Sequence, residues 1–466
     1  MRKNPTYLLF IPTLCLMFAA QARAQFPEDA LRISSVGMGI GGRSLGMGMA
    51  FTGVANDYSA TYWNPAGLGQ MRMSEMNVGL SYQSFGNSST FFGNTRSLDN
   101  SSTDLNNFGL VYPFPTARGS LVFGVGYNRV NDFTTALSFD GFNRSSSIIP
   151  TLNTDLAYQL YLVDSVGYTP IQDSLQQRGK VLEGGGLNNW TFAAAVEAGR
   201  QLYLGVSLNI VSGSYSYNRE YIETDVFNKY SQSRFGVDYA FSQVDLINTI
   251  NGDISGFTAR LGMLYKFNSG ARFGINIKTP TFVTVREDFA TDGTSTFDVA
   301  DAQGRYSYNY RQDGKTQYDV ATPFVFSGGL SVPLNDLMVA ADVEFTDWTQ
   351  MRFSNADPAV EQYNTDIKEF FRPTANLRVG AEYDLGEVRV RGGYAYMPSP
   401  YRGDPSSFAQ KYVTGGLGFI VQDNVAIDAG YAYGFWDTFH VNYDRTSTTT
   451  EKIRTHNLIA TVTYRF

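Results

Sequence analysis

The feature that most constrains this chain is the alternation in its final stretch. In 453–466, Leu458, Ala460, Val462, Tyr464 and Phe466 fall on one face of an extended chain. Asn457, Thr461, Thr463 and Arg465 fall on the other, with Ile459 an exception. Successive side chains of a strand point to opposite faces, so a period of two sorts apolar from polar residues. The same rule recurs upstream. Phe257, Ala259, Leu261, Met263, Tyr265 and Phe267 alternate with Thr258, Arg260 and Lys266. Phe273, Ile275 and Ile277 alternate with Gly274, Asn276 and Lys278, and Val388, Val390, Tyr394 and Tyr396 with Arg389 and Arg391. One greasy face and one charged face suit a membrane barrel with a polar lumen, because a charge on the lipid face costs about 2–4 kcal/mol at the midplane.

Composition agrees with that reading. Arg2 and Lys3 precede an apolar run at 8–20, and Ala22-Arg23-Ala24 has the Ala-x-Ala form, so 1–24 reads as an export signal with the mature chain from Gln25. Cys15 lies inside that signal, and Leu14 before it is too large for a lipoprotein acylation site. The mature chain therefore has no cysteine, which excludes disulfides, thiol nucleophiles and cysteine metal sites. Without Arg2, Lys3 and Arg23 the basic residues fall from 36 to 33 against 43 acidic ones, a net charge of −10 that argues against a nucleic-acid partner. No later run of about 18 apolar residues exists, so no helical span is expected. Aromatics at 15% and charged residues at 17% instead fit an outer-membrane β-barrel, an antiparallel all-β fold.

Alternation marks fourteen strands, at 73–85, 104–113, 119–134, 190–198, 202–217, 252–267, 271–286, 320–332, 336–353, 368–384, 387–399, 410–421, 424–443 and 451–466. Short connections (113–118, 199–201, 268–270, 333–335, 385–386, 422–423) alternate with long ones (86–103, 135–189, 218–251 and 287–319 among them). Short periplasmic turns alternating with long extracellular loops are the expected barrel pattern, which places both termini in the periplasm. No second globular domain and no tandem repeat is present. The expected organisation is 1–24 signal, a segment 25–72 ahead of the first strand, and 73–466 barrel. The terminal Phe466, two residues after Tyr464, resembles the signal read by the outer-membrane barrel assembly machinery.

Ahead of the first strand, 44–68 is rich in small residues, including Gly46, Gly48, Gly53, Ala55 and Ala60, and ends in Asn64-Pro65-Ala66-Gly67, a compact turn signal. This stretch resembles the N-terminal hatch of the FadL/TodX-like outer-membrane transporters for long-chain fatty acids and other hydrophobic compounds. The likeness continues through Arg272-Phe273-Gly274-Ile275 to Thr279-Pro280, Thr322-Pro323-Phe324, the run from Asp342 to Trp348, and the later hairpin with Asn376, Arg378, Glu382 and Arg391. It covers nearly the whole mature chain and is weak in the long loops. The resemblance implies a hatch or plug at 25–72 inside the lumen of a monomeric fourteen-stranded barrel, passive uptake of hydrophobic small molecules such as long-chain fatty acids or aromatic hydrocarbons, no cofactor, and a gate at Asn64, Pro65, Ala66 and Gly67. It also implies a kinked third strand opening the wall sideways, for which Gly124 and Gly126 are the candidates. Some relatives with this plugged barrel serve secretion by binding protein partners, and that role is the alternative.

Two further features bear on ligand. The loop 135–189 carries Leu152, Leu156, Leu160, Tyr161 and Leu162, and an exposed apolar cluster must either pack or bind something. A landing groove for a greasy ligand and a self-packed lid both stand as readings. Lumen-facing Arg260, Lys266, Lys278, Arg389 and Arg391 are candidate partners for a fatty-acid carboxylate, or members of a charge ladder with Asp342, Glu344 and Glu382. No catalytic constellation is found. His440 lies on or near a rim loop, and His456, in the last strand, reads as a lumen or interface side chain. The Gly37–Gly42 cluster does not follow a strand in a βαβ unit, so nucleotide binding is not expected.

Overall fold

The computed structural model describes residues 27–230, 240–422 and 424–466; the expected signal, Gln25 and Asp423 of the expected 422–423 turn lie outside them. Eighteen ladder segments make fourteen antiparallel strands, because four strands are interrupted. In chain order these are β1 (Glu75–Phe91), β2 (Asn94–Phe114), β3 (Leu121–Asp132, then Thr135–Asn143), β4 (Leu175–Gly199), β5 (Leu202–Thr224) and β6 (Phe241–Lys266). There follow β7 (Arg272–Lys278, then Phe282–Phe297), β8 (Ser307–Ala321, then Val325–Leu334), β9 (Leu337–Asp347, then Arg352–Ser354) and β10 (Pro373–Asp384). The last four are β11 (Val388–Met397), β12 (Gln410–Val421), β13 (Val425–Val441) and β14 (Thr448–Arg465). β14 pairs back onto β1 from Glu75↔Arg465 to Thr90↔Thr450, which closes the barrel. Ser74 and Phe466 exchange two 3.0 Å backbone hydrogen bonds at the rim.

The interruptions have local causes. Proline supplies no ladder donor. Pro280 breaks β7 and Pro323 breaks β8 side by side, and Thr281 and Thr322 bond across the gap at 2.8 and 3.0 Å. β9 is broken by a short 3₁₀ turn at Trp348–Gln350, capped by the Asp347 carboxylate on the Thr349 amide at 3.1 Å.

Each expected strand is present, with alternating exposure. Leu458, Val462 and Tyr464 face outward, as do Met76, Val78 and Leu80 on β1. Ile459, the exception to the pattern, is buried against the plug. The strands are much longer than the periodicity indicates. β4 has 25 residues and β6 has 26, whereas about 9–11 suffice to cross the hydrocarbon. Above the lipid band the outer face turns polar, as at Ser212, Ser214 and Ser216, so the alternation that marks a strand disappears. The expected loop at 86–103 is accordingly no loop. β1 and β2 run on to a two-residue turn at Phe92 and Gly93, both with positive φ (44° and 85°), the geometry favoured in tight hairpins.

The lumen is filled by the chain ahead of β1. It contains α1 (Pro27–Ser34), α2 (Gly42–Gly46), α3 (Ala60–Trp63) and a 3₁₀ turn (Pro65–Gln70). Leu45, Met47, Phe51, Tyr58, Trp63 and Leu68 form a buried core with inward residues of the wall such as Val111, Val122 and Ala432. One expectation is corrected here. The first described residues do not lie in the periplasm. Ala30 and Ile33 of α1 are buried with Ile367 and Phe371, which belong to a connection at the long-loop rim. The apolar face of α1 is covered there by wall and rim residues, so the described chain runs from high in the lumen downward.

Candidate functional site

The plug touches the wall where the wall has no side chains. A Cβ on Gly205, Gly262 or Gly274 would overlap the plug backbone or Asn64, and one on Gly380, Gly393 or Gly430 would overlap the backbone at Met47, Gly48 or Gly42. Glycine is the residue that permits such close backbone approach.

Asn64 sits at the centre of the turn beneath this ring. It is fully buried. Its Nδ2 donates to the Thr52 carbonyl at 2.9 Å and to the Met263 carbonyl of β6 at 3.0 Å, and its Oδ1 accepts from the Ala66 amide at 3.2 Å. Pro65 follows at the first position of the 3₁₀ turn, where its missing N–H costs nothing. At Gly67 any side chain would meet the Ala55 carbonyl. The Asn-Pro-Ala turn thus bonds to β6 and packs on β5, β6 and β7.

Charged groups complete the attachment. The Asp342 carboxylate on β9 accepts from the Phe51 and Thr52 amides at 2.9 and 2.7 Å. Arg43 of α2 meets Glu382 of β10 at 2.9 and 2.8 Å; Glu382 also pairs with Arg391 at 2.6 Å, and Arg391 with Asp428 at 2.7 Å. Arg378 pairs with Glu344 at 2.7 Å. Arg43 and Arg378 were not among the candidates. Arg378 shares the inward parity of Glu382, which was the available signal; nothing in the sequence marked Arg43 beyond a charge within a run of small residues.

The five candidate cations separate into three groups. Arg391 is a structural member of the network just described. Lys266 is exposed at the end of β6 rather than inside the lumen, and Arg389 is half-buried at the same rim, paired with Asp384 at 3.1 Å. Arg260 and Lys278 stand apart. Arg260 is buried over the Tyr62 ring at 4.2 Å, and its Nε has no hydrogen-bond partner. Beside it, Lys278 is half-buried and the Asn276 Oδ1 is unpartnered. Neither cation forms an ion pair among the described residues, the nearby Glu344 being engaged by Arg378 and Asn376. Tyr62, Trp63, Thr52 and Val36 of the plug close the space to about 10 Å³, roughly one water.

The third strand corrects the expected kink. At Gly124 and Gly126 the ladder is continuous to both neighbours, Val111↔Gly124 and Gly109↔Gly126 on one side, Gly124↔Ala193 and Gly126↔Thr191 on the other. These glycines make room for Thr61, Leu68 and Tyr58 of the plug. Continuous pairing at these two glycines removes a lateral opening between Asn64-Pro65-Ala66 and this part of β3. The irregularity lies higher. Pairing with β2 ends at Asn107↔Asn128, the register shifts between Arg129 and Asn131, and the strand breaks before Thr135. There Arg129 spans the gap to Asp104 at 3.2 Å and Asp132 at 2.8 Å.

Between β3 and β4, the expected apolar loop folds back as a lid. Leu156, Leu160 and Leu162 are buried with Phe139, Tyr221 and Leu246, and Leu152 packs at their edge. Glu223 anchors the lid by accepting from the Ile148 amide at 2.8 Å and from Ser147. Tyr161 alone of the five candidates is exposed, its ring 4.2 Å from that of Tyr308. The side chains offered for a landing groove are spent on packing. His456 lies on the outer face, its Nδ1 2.7 Å from the Tyr431 hydroxyl.

A closed, plugged fourteen-stranded barrel with a lipid-facing apolar band defines an outer-membrane β-barrel protein. Residues 187–466 match the family described as outer membrane protein transport protein (OMPP1/FadL/TodX), and the chain belongs to that family. Among solved structures, it resembles a Pseudomonas aeruginosa FadL homologue (TM-score 0.57, 14% identity, 93% of this chain and 99% of that one). It also resembles the P. putida toluene transporter TodX (TM-score 0.57, 14% identity, 92% and 99%) and the CymD monoaromatic hydrocarbon channel (0.51, 18%, 92% and 98%). No curated protein sequence matches the chain.

Proposed function

We propose that this protein carries hydrophobic small molecules passively across the outer membrane, with preference for those bearing an anionic end, such as long-chain fatty acids. The observation that carries this reading is the Arg260–Lys278 pair. Two luminal cations without carboxylate partners, beside the aromatic rings of Tyr62 and Trp63, suit a carboxylate followed by an apolar tail. The space there is closed, so a ligand must displace the plug to occupy it. Asn64, Pro65, Ala66 and Gly67 form the hinge of that movement. The protein works as a monomer, without a cofactor and without a chemical step.

Whole-cell uptake of a labelled long-chain fatty acid and of labelled toluene tests the reading, with intact protein and with R260Q/K278M at equal abundance. A charged hydrogen-bonded contact contributes about 1.5–3 kcal/mol, so fatty-acid uptake at limiting concentration falls roughly tenfold or more while toluene uptake holds. Equal loss of both, or of neither, overturns the assignment of an anionic ligand to this pair.

A further inference from the structure

The outer face of the barrel carries a cationic patch that neither the plug nor the lumen uses. On β14, Arg454 and Lys452 point outward and are exposed. Across the ladder Arg454 lies opposite Phe435 of β13, and Phe435 in turn lies opposite Lys411 of β12. The Lys411 Nζ sits over the Phe435 ring at 5.9 Å. Arg454 and Lys411 thus flank one aromatic ring from neighbouring strands, about 10 Å apart, with Lys452 about 7 Å further along β14.

Height on the barrel gives the patch its meaning. One rung below, Tyr433 lies opposite His456, and below that Tyr431 lies opposite Leu458. These side chains form an aromatic collar, with rings 5.4–6.1 Å from His456. Aromatic collars mark the level where acyl chains give way to headgroups. The three cations therefore occupy the headgroup layer on the long-loop side, which is the outer leaflet. Other exposed cations have acidic partners, as Arg311 with Asp292 at 2.6 Å, Lys315 with Asp288 at 2.9 Å and Arg96 with Asp140 at 2.6 Å, or stand without an ion pair among the described residues, as Arg178, Lys180 and Arg286 do. Lys411, Lys452 and Arg454 form no ion pair among the described residues, although Asp437 lies opposite Lys452 and Asp99 adjoins Gly86. In a chain of net charge −7, such a cluster is local rather than part of a general basicity.

We propose that Lys411, Lys452 and Arg454 bind the phosphate-bearing headgroup of a lipid in the outer leaflet, with its acyl chains against the apolar band beneath. Phosphate favours the arginine fork and tolerates lysine as a point charge. Phe435 holds Lys411 by a cation–π contact and leaves its charge available.

The test uses the full-length barrel in dodecyl maltoside, with lipid retention read by native mass spectrometry. Diphosphoryl lipid A, phosphatidylcholine and inorganic phosphate are the probes. The intact protein is expected to retain lipid A, and K411Q/K452Q/R454Q to retain about tenfold less, about 1.4 kcal/mol for the three cations together. Phosphatidylcholine, whose phosphate is offset by its own ammonium group, is retained equally by variant and intact protein, and inorganic phosphate at equal concentration does not displace lipid A. Equal retention of lipid A by variant and intact protein overturns the proposal. So does an equal loss in R311Q/K315Q, whose cations are already paired, because the effect then follows charge in general. Displacement by inorganic phosphate assigns the patch to a free anion and overturns the lipid. Should the triple variant fail to fold, the charge-preserving K411R/R454K and the single R454Q separate charge from folding: retention kept in the first and reduced in the second supports the site, and any other pattern overturns it.

Discussion

Arg43 of the plug and Glu382 of the wall meet through two hydrogen bonds of 2.9 and 2.8 Å, and Glu382 is shared with Arg391 at 2.6 Å. The carboxylate thus sits between one cation that belongs to the plug and one that belongs to the barrel. Breaking a buried pair by removing one partner costs about 3–5 kcal/mol. R43A is expected to lower the thermal unfolding temperature and expose the plug to protease. R311A, at an exposed outer pair, should change stability by about 1 kcal/mol or less. Equal effects of the two would refute a special role for the plug contact.

N64A leaves the Thr52 and Met263 carbonyls and the Ala66 amide without their side-chain partner. Each buried group so orphaned costs about 1–3 kcal/mol. The barrel ladder does not depend on these bonds, so the barrel should assemble with a loosened plug. Ion conductance in planar bilayers should rise above that of the intact protein. Unchanged conductance with a normal melting profile would show that Asn64 does not hold the turn in place.

G262A attacks the same contact from the wall side. The added methyl overlaps Asn64 Oδ1 and the Ala66 amide, while the outer face and the register of β6 are untouched. Overpacking typically costs about 1–3 kcal/mol. The expected result is the N64A phenotype, a leaky but assembled barrel. G328A, where the new Cβ meets nothing within 4 Å, is the matched control and should leave conductance unaltered.

The membrane part of this fold was legible because lipid imposes strict alternation. Fourteen strands, their short turns, and the inward direction of Arg260, Lys278 and Arg391 all follow from that one rule. Where both sides of a strand meet water the rule lapses, and the upper parts of β1 to β8 read as loops. Gly124 and Gly126 illustrate a different limit. A glycine in a strand signals either a bend or a close neighbour, and only the position of Tyr58 and Leu68 decides between them. In the same way, Leu156 and Leu160 declared an apolar cluster without saying that its partners would be Phe139 and Leu246. Arg43 lies 339 residues from Glu382, and Asp342 lies 291 and 290 residues from the Phe51 and Thr52 amides, and no local pattern announces such pairs.

The lid yields a prediction of its own. Leu160 is fully buried and its side chain lies against Gly293 of β7. L160A should cost about 2–5 kcal/mol locally through the cavity it leaves. The lipid-band strands do not share this cluster, so the loss should appear as faster proteolysis within 144–174 in intact cells, with whole-barrel melting little changed. A lid that resists protease as well as the intact protein would show that Leu160 is not what holds it down.

The wall glycines have a wider consequence. Plug and barrel are shaped as a casting is to its mould: each bare patch of wall records the course of the thread that lies against it. A homologue's plug, with bulk in other places, will not seat in this barrel, and this plug will not seal another. Parts can be exchanged between relatives as matched sets, thread together with wall, and single-piece chimeras should leak or fail to assemble.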